Sequence, residues 1–498
     1  VVDSTLLETA RTSLRKRLDE AAPHISNLHD LSELGTMELL AHLGRVTRDQ
    51  ADVAKFWLLM SCLSGGMPTH DELMRAFRSL ELAEPGAEAY ELLRACIGPA
   101  SNNSEFVRPV RVLHDQVVVD VDFCARHGHN TGVQRVVRET VGRWNSEHDL
   151  TLSAWTEDGS LMRTLAPDER GRVLSWDSSL RPTTSGPDVD DQGELLVPWN
   201  CTIILPEVAQ ARFWQRLACL SEFSTNSVGM VGYDTIPVTS AEYVVPSEAD
   251  RFIRYLSIVK NADLVAGISQ SSADEFAGFA STLRAQGLIG PKVVSVELPV
   301  ALAAHESEGA GLGRSNHLPL VLNVGTQEPR KNQLAVLAAA EMLWKEGLQF
   351  ELLFIGGLAL PLSIPFDDEL RRLQSRGRTV SVLRHCTDRQ LEEAYRTAQF
   401  SVFVSLHEGY GLPAGESLAA GTPVITTNYG SIAEIAVGGG CLPVDPRDDE
   451  AIAAAMRLLL TDQDELRRLR SEASHRTTRT WDDYAAELWT EMAGRVTR

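Results

Sequence analysis

The chain has 498 residues, 43% hydrophobic and 23% charged, with a formal net charge of −21. That length exceeds one ordinary core and points to about two to four domains, and the composition is that of a soluble globular protein. The acidic balance excludes wholesale nucleic-acid binding but leaves room for a local basic pocket holding one small anion, and no apolar run approaches the roughly 18 residues of a membrane span.

The opening "VVDSTLLETARTSLRKRLDE" lacks an apolar signal core and a small-residue cleavage site, and it does not begin with Met, so trimming rather than secretion is expected. Seven scattered cysteines without a CxxC pair argue against a disulfide framework and for a reducing cytoplasm, with the inner face of the membrane as a peripheral alternative. Residues 1–108 read as an all-helical extension broken by "APH", "GGMP" and "AEPG", with Thr69 as an N-cap and Glu72 completing its capping box. Its basic segment "TARTSLRKRL" would suit a membrane surface, but a solvated or interdomain face fits the overall acidity better. Peripheral membrane or protein docking is the role such an extension suggests.

From residue 112 the pattern becomes short apolar runs alternating with helical periods. Strands are expected at 116–123, 201–206, 227–234, 263–269 and 292–298. After a Gly-, Ser- and His-containing linker at 305–317 the pattern restarts, with strands at 319–325, 350–357, 379–385, 400–406 and 422–427. Such alternation predicts an α/β chain of two doubly wound Rossmann-like domains facing a cleft, with ligands at the carboxyl ends of the strands. The domains are placed at 109–312 and 313–480, followed by a terminal helix at 481–498 that crosses back to the first of them. The poorly periodic stretch 151–200 reads as an irregular insertion.

Two segments carry the chemistry. In "NVGTQEPRKNQ" a strand ends at Gly325 and a helix follows, so Arg330 and Lys331 stand beside free backbone N–H groups, a favourable place for a phosphate or diphosphate. Two adjacent cations on a turn are also often merely solvated. In "HEGYGLPAGESLAAGTPVI" Glu408 lies at a strand's carboxyl end, Gly411 and Pro413 begin a helix, and Glu416 falls in its first turn. A lone Glu416 would simply complement the helix dipole. Paired with Glu408 it can face the same cleft and bind hydroxyl groups.

The E-x7-E spacing of "EGYGLPAGE", the following "AAGTPVITTNYGSIAEI" and the upstream "VGTQEPRKN" resemble the C-terminal half of family 4 (group 1) retaining glycosyltransferases of the GT-B fold. "NTGVQRVVRE", "VGYDTIPV" and "ADLVAGISQSSADEF" resemble segments of that family's N-terminal half. The resemblance implies transfer of a hexose from a nucleotide-diphosphate sugar, GDP-mannose by a slight similarity of "EPRKN", to a glycan, lipid-linked or small-molecule acceptor. It further implies retention of configuration, with no metal and no other cofactor. Lys331 and Arg330 would neutralise the diphosphate, Gly132 and Gly325 would approach it, and the amides of Gly411 and Leu412 would meet the leaving phosphate. Glu416 would hold the ribose, Glu408 would contact the transferred sugar, and backbone around His385 and Cys386 would receive the base. Two positions depart from the pattern. Thr326 stands where many relatives have Arg, leaving Arg330 to supply the charge, and Tyr233 replaces a His, making Asp234 the catalytic candidate on the acceptor side.

Rival readings attach to other residues. Asp120 and Asp122 form an Asp-x-Asp that could hold a divalent metal if both faced one side of a strand. His127 and His129 have ligand-like separation without a third ligand nearby. No GxGxxG follows the first strand, against a dinucleotide dehydrogenase. A GT-B epimerase or phosphorylase and a catalytically silent sugar-nucleotide-binding or scaffold protein remain alternatives.

Overall fold

Runs such as "VVVD", "TIIL" and "LVLNV" are apolar on both sides, which suits strands covered by helices on each face. The computed structural model, which describes residues 4–27, 31–101, 108–128, 130–176, 193–300, 317–477 and 479–494, arranges its strands in two sheets. The first contains β1 (Val110–His114), β2 (Val117–Asp120), β3 (Thr151–Trp155), β4 (Met162–Thr164), β5 (Leu195–Trp199), β6 (Thr202–Leu205), β7 (Ser227–Gly232), β8 (Leu264–Gly267) and β9 (Lys292–Ser295). Their spatial order is β1-β5-β4-β3-β2-β6-β7-β8-β9, and only β4 runs antiparallel to its neighbours.

The second sheet contains β10 (Leu320–Val324), β11 (Glu351–Ile355), β12 (Val380–Leu383), β13 (Phe400–Phe403), β14 (Val424–Thr427) and β15 (Cys441–Val444). It is wholly parallel in the order β12-β11-β10-β13-β14-β15. The chain starts at the centre, winds out to one side, then returns to wind out on the other. The loops after β10 and β13 therefore diverge and leave a crevice at the carboxyl ends of those two strands.

Each strand read from the sequence is present, shortened at its ends. The stretch 151–200 is a correction: its described residues contain β3, β4, the helix Pro167–Leu174 and β5. The three-residue β4 and the proline within β5 hide the alternation. Burial in the sheet, with all five β5 residues inside, supplies what local propensity lacks. Residues 177–192 of that stretch, and nearly all of the 305–317 linker, lie outside the described residues.

The helical extension shares a core with the first sheet. Leu18, Leu40, Phe56, Trp57 and Leu73 are fully buried in the same cluster as Leu195, Leu196, Val197 and Ile203. Thr69 and Glu72 do form the capping box that opens His70–Glu81. In the basic segment, Arg17 is 1% exposed and its Nε donates to the Arg108 carbonyl at 2.9 Å, while Arg15 pairs with Asp19. That helix therefore presents no uniform basic face to solvent.

The helix Trp481–Ala493 lies on the first domain. The Trp144 indole donates to the Ala485 carbonyl at 2.8 Å, Trp489 stacks on His148 at 4.0 Å, and Tyr484 and Leu488 are buried. Among the described residues no helix is long and apolar enough to cross a membrane.

Candidate functional site

Both sheets turn their carboxyl edges toward a cleft of about 790 Å³. From the second sheet, the turn after β10 brings in Gly325, Thr326, Glu328, Arg330 and Lys331, and the turn after β13 brings in Glu408 to Pro413. These turns converge through charge. Arg330 donates to the Glu408 carboxylate and to the His407 carbonyl, each at 2.7 Å, and to Glu328 at 2.6 Å. Lys331 Nζ donates to the other Glu408 oxygen and lies 5.3 Å from the centre of the Phe403 ring. Burial alone would raise the Glu408 pKa, but the two adjacent cations hold it at about 2. Burial draws Lys331 below its ordinary value despite the attraction of Glu408.

Gly411 opens the helix Leu412–Ala419 from φ 111°, a left-handed conformation that glycine adopts without a Cβ clash. The N-terminus of that helix points into the cleft. Opposite it begins the helix Gly132–Glu147, whose Gly132 lies directly against Leu412. Two helix N-termini thus face one space, a field that favours an anion.

Across the cleft, Arg135 donates to Glu416 at 2.6 Å, and the Tyr395 hydroxyl donates to the same carboxylate at 3.0 Å. Burial raises the Glu416 pKa, opposed by Arg135. Gly409 is pressed against the first domain: a Cβ there would stand 2.2 Å from the Tyr233 carbonyl oxygen and 3.2 Å from Asp234 Cβ. Asp234 accordingly sits beside Glu408, accepting from the Ile236 amide at 3.1 Å, and burial raises its pKa against the pull of Arg330. The Tyr233 hydroxyl donates to the Pro206 carbonyl at 2.7 Å.

The residues singled out from the sequence are mostly brought together. Gly132, Asp234, Gly325, Thr326, Arg330, Lys331, Glu408, Gly411, Leu412 and Glu416 all line the cleft. His385 and Cys386 do not; on that side the lining passes to Asp388, Leu391 and Tyr395 on the following helix Asp388–Thr397. Sequence reasoning missed Arg135, Tyr395 and Asp388. Arg135 had a signal, one turn after Gly132 and hence on the same helix face.

It also gave no role to His407, which precedes Glu408. His407 contacts Ser240 at 2.7 Å and Glu275 at 2.5 Å on the first domain. Burial lowers its pKa, but the hydrogen bond and charge of Glu275 carry it above the ordinary histidine value.

Asp120 and Asp122 do not share a strand face, because β2 ends at Asp120 and Asp122 begins the helix Asp122–Arg126. Asp120 accepts from the Trp155 indole at 2.9 Å, and Asp122 is held by Arg126 and Arg212. Burial, with the charges of Asp122 and Glu207, pushes Asp120 up to about 8. His127 packs on Phe123 at 4.5 Å, while His129 lies outside the described residues. Among the described residues no group of three or more His, Cys, Asp or Glu side chains could hold a metal ion.

Solved structures share this architecture. A UDP-forming α,α-trehalose-phosphate synthase from Burkholderia xenovorans superposes with a TM-score of 0.53 over 77% of this chain and 100% of that one, at 14% identity. HepE from Anabaena, solved in complex with UDP and glucose, gives 0.51 over 76% and 100%, at 13% identity. The fold is GT-B. Within the GT-B chain, residues 307–476 match the family model described as Glycosyl transferases group 1, which covers less than half of the sequence. O-antigen chain mannosyltransferase B of Escherichia coli is 34% identical over 145 residues, 28% of this chain and 36% of that protein. The serotype-specific mannosyltransferase WbdA of Escherichia coli is 25% identical over 342 residues, 64% of this chain and 40% of the relative. The chain thus spans about two fifths of the length of the curated relatives it matches first.

Proposed function

We propose that this GT-B chain transfers a hexose from a nucleotide-diphosphate sugar to an acceptor hydroxyl, with retention of configuration and with GDP-mannose as donor. The observation that carries the reading is the convergence of Arg330 and Lys331 on Glu408 at the carboxyl edge of the second sheet, opposite two helix N-termini. Breaking a sugar–phosphate bond leaves negative charge on the diphosphate and positive character on the anomeric carbon. In the reaction Arg330 and Lys331 turn to the diphosphate, and the amides that open the Leu412 helix receive its oxygens. Glu408, already anionic, faces the cationic sugar.

The new bond joins the acceptor oxygen to the anomeric carbon. The old bond breaks with its electron pair leaving on the nucleoside diphosphate. Asp234, whose pKa is raised by burial, takes the hydroxyl proton from the acceptor side. Glu416 exchanges Arg135 for the ribose hydroxyls. These protein groups supply the charge stabilisation that a bound metal would otherwise give, so activity is expected to survive EDTA.

Asp388 supports a guanine base. It lies near enough to Glu416 to act on its charge, and a carboxylate there can accept both N1–H and N2–H of guanine, whereas uracil offers one N–H between two carbonyls. The mannosyltransferases among the relatives point the same way. Thermal shift with GDP-, UDP-, dTDP- and ADP-sugars tests the proposal: GDP-mannose raises the midpoint, and acceptor-free donor hydrolysis disappears in Glu408→Gln. No shift with any nucleotide sugar sinks it.

A further inference from the structure

A second cavity of about 280 Å³ opens in the first domain behind the reaction centre. It shares Val133, Tyr233 and Asp234 with the main cleft, so Asp234 stands in the wall between the two. Aromatic rings form its inner surface: Trp214, and Phe252 and Tyr255 with centroids 5.3 Å apart. At its rim Arg251 is paired with Glu248 at 2.8 Å, with both side chains about half exposed. Ligand pockets of drug-like size run from about 300 Å³ upward, so this one has room for little more than a single ring and its linkage.

We infer that this cavity is the acceptor subsite and takes the terminal pyranose of an uncharged saccharide, excluding sugar phosphates. The inference rests on the glycosyltransferase reading above and deepens it. An acceptor hydroxyl must reach the anomeric carbon between Glu408 and Asp234, and this cavity adjoins that point from the first domain. A pyranose offers a C–H face that packs on an aromatic ring and hydroxyls that a carboxylate accepts from and a guanidinium donates to.

Charge decides against a phosphorylated acceptor. Asp234, Glu248 and Arg251 are the charged side chains of the lining. With Asp234 ionised the lining is net negative, and with Asp234 protonated it is neutral. A phosphate dianion needs surplus cations or several aimed donors, and the single guanidinium here is already paired.

The test uses the full chain with the nucleotide sugar that shifts its midpoint, and compares methyl hexopyranosides with hexose 6-phosphates by nucleotide release above the acceptor-free rate. At least one methyl hexoside is expected to accelerate release, with kcat/KM about tenfold or more above its 6-phosphate counterpart. Trp214→Ala is expected to raise the hexoside KM about tenfold with a smaller change in kcat, the mark of lost binding rather than lost chemistry. Glu248→Lys, which adds a cation at the rim, shifts the ratio toward the phosphorylated sugar. The inference is overturned if hexose phosphates serve as well as neutral hexosides, if neither serves, or if both substitutions leave the ratio and the KM unchanged. A protein that binds and hydrolyses the donor yet fails these tests refutes the acceptor assignment alone, whereas no nucleotide-sugar shift refutes the donor reading and this inference with it.

Discussion

Glu408 is kept ionised by Arg330 and Lys331, the two cations that the proposed diphosphate would also engage. Lys331→Ala is expected to lower kcat/KM by about 10²–10³, the range for removing one donor to a developing anion. It also removes a charge that depresses the Glu408 pKa, so the acid limb of the pH–rate profile moves to higher pH, which initial rates across the acid range will read. The Arg135–Glu416 pair spans the cleft, and both side chains are nearly buried, at 12% and 13% exposure. Truncating one member strands the other, at a cost of about 3–5 kcal/mol. Arg135→Ala therefore lowers the unfolding midpoint, and combining it with Glu416→Gln costs less than the sum of the two single changes, as a double-mutant cycle in denaturant will measure.

Among the elements, the short Leu412 helix and the turn before it depend on backbone fit. Gly409 accepts from the Ser269 and Ser272 hydroxyls at 2.6 and 2.8 Å, with the Tyr233 carbonyl where a side chain would begin. Gly409→Ala must force backbone from backbone, so it is expected to open the cleft: small-angle scattering gives a larger radius of gyration, and kcat falls. Gly278, in the helix Gln270–Thr282 with nothing near its Cβ position, is the control. Gly278→Ala is expected to stabilise by about 0.5–1 kcal/mol through helix propensity, without effect on rate. The N-terminus of that same helix is capped from the other domain, where Glu434 accepts from the Gln270 and Ser271 amides at 2.9 and 2.8 Å.

At the scale of the whole molecule, the domains meet through groups that titrate. His407 has a raised pKa, so its share of stability is complete below the ordinary value of 6.5 and is lost as pH rises through the raised one. Burial would raise the Glu275 pKa, but the hydrogen bonds of His407 and Thr235 lower it, so its share is complete above the ordinary value of 4.5 and is lost as pH falls through the lowered one. The bridge is therefore full between pH 4.5 and 6.5 and weakens on the alkaline side. Unfolding midpoints should fall through that alkaline range in the parent chain and fall less in His407→Gln. The helical extension is equally part of the whole, because its apolar side covers the sheet around β1 and β5. Deleting residues 1–101 exposes Leu113, Leu195 and Val197, and aggregation by light scattering is the expected result.

Ten of the fifteen described strands, their arrangement in two series, and the segments around Gly325, Arg330, Lys331, Glu408 and Glu416 were legible in the sequence. Their signals are local: apolar runs of strand length, turn residues and fixed short spacings act within a few residues of chain. The edge strands β1 and β15 and the strands inside 151–200 were not; β4 and β5 are held by neighbours rather than by their own pattern. Nor was Arg135 as the partner of Glu416, 281 residues away, or His407 as the partner of Glu275, 132 residues away. Such pairs depend on which helix end meets which strand end across the cleft, and no local propensity encodes that meeting. Local pattern thus carries the two Rossmann-like halves and the residues of one wall. What faces that wall is set by the packing of the two halves, because burial and pairing of charge belong to the assembled cleft and not to either segment alone.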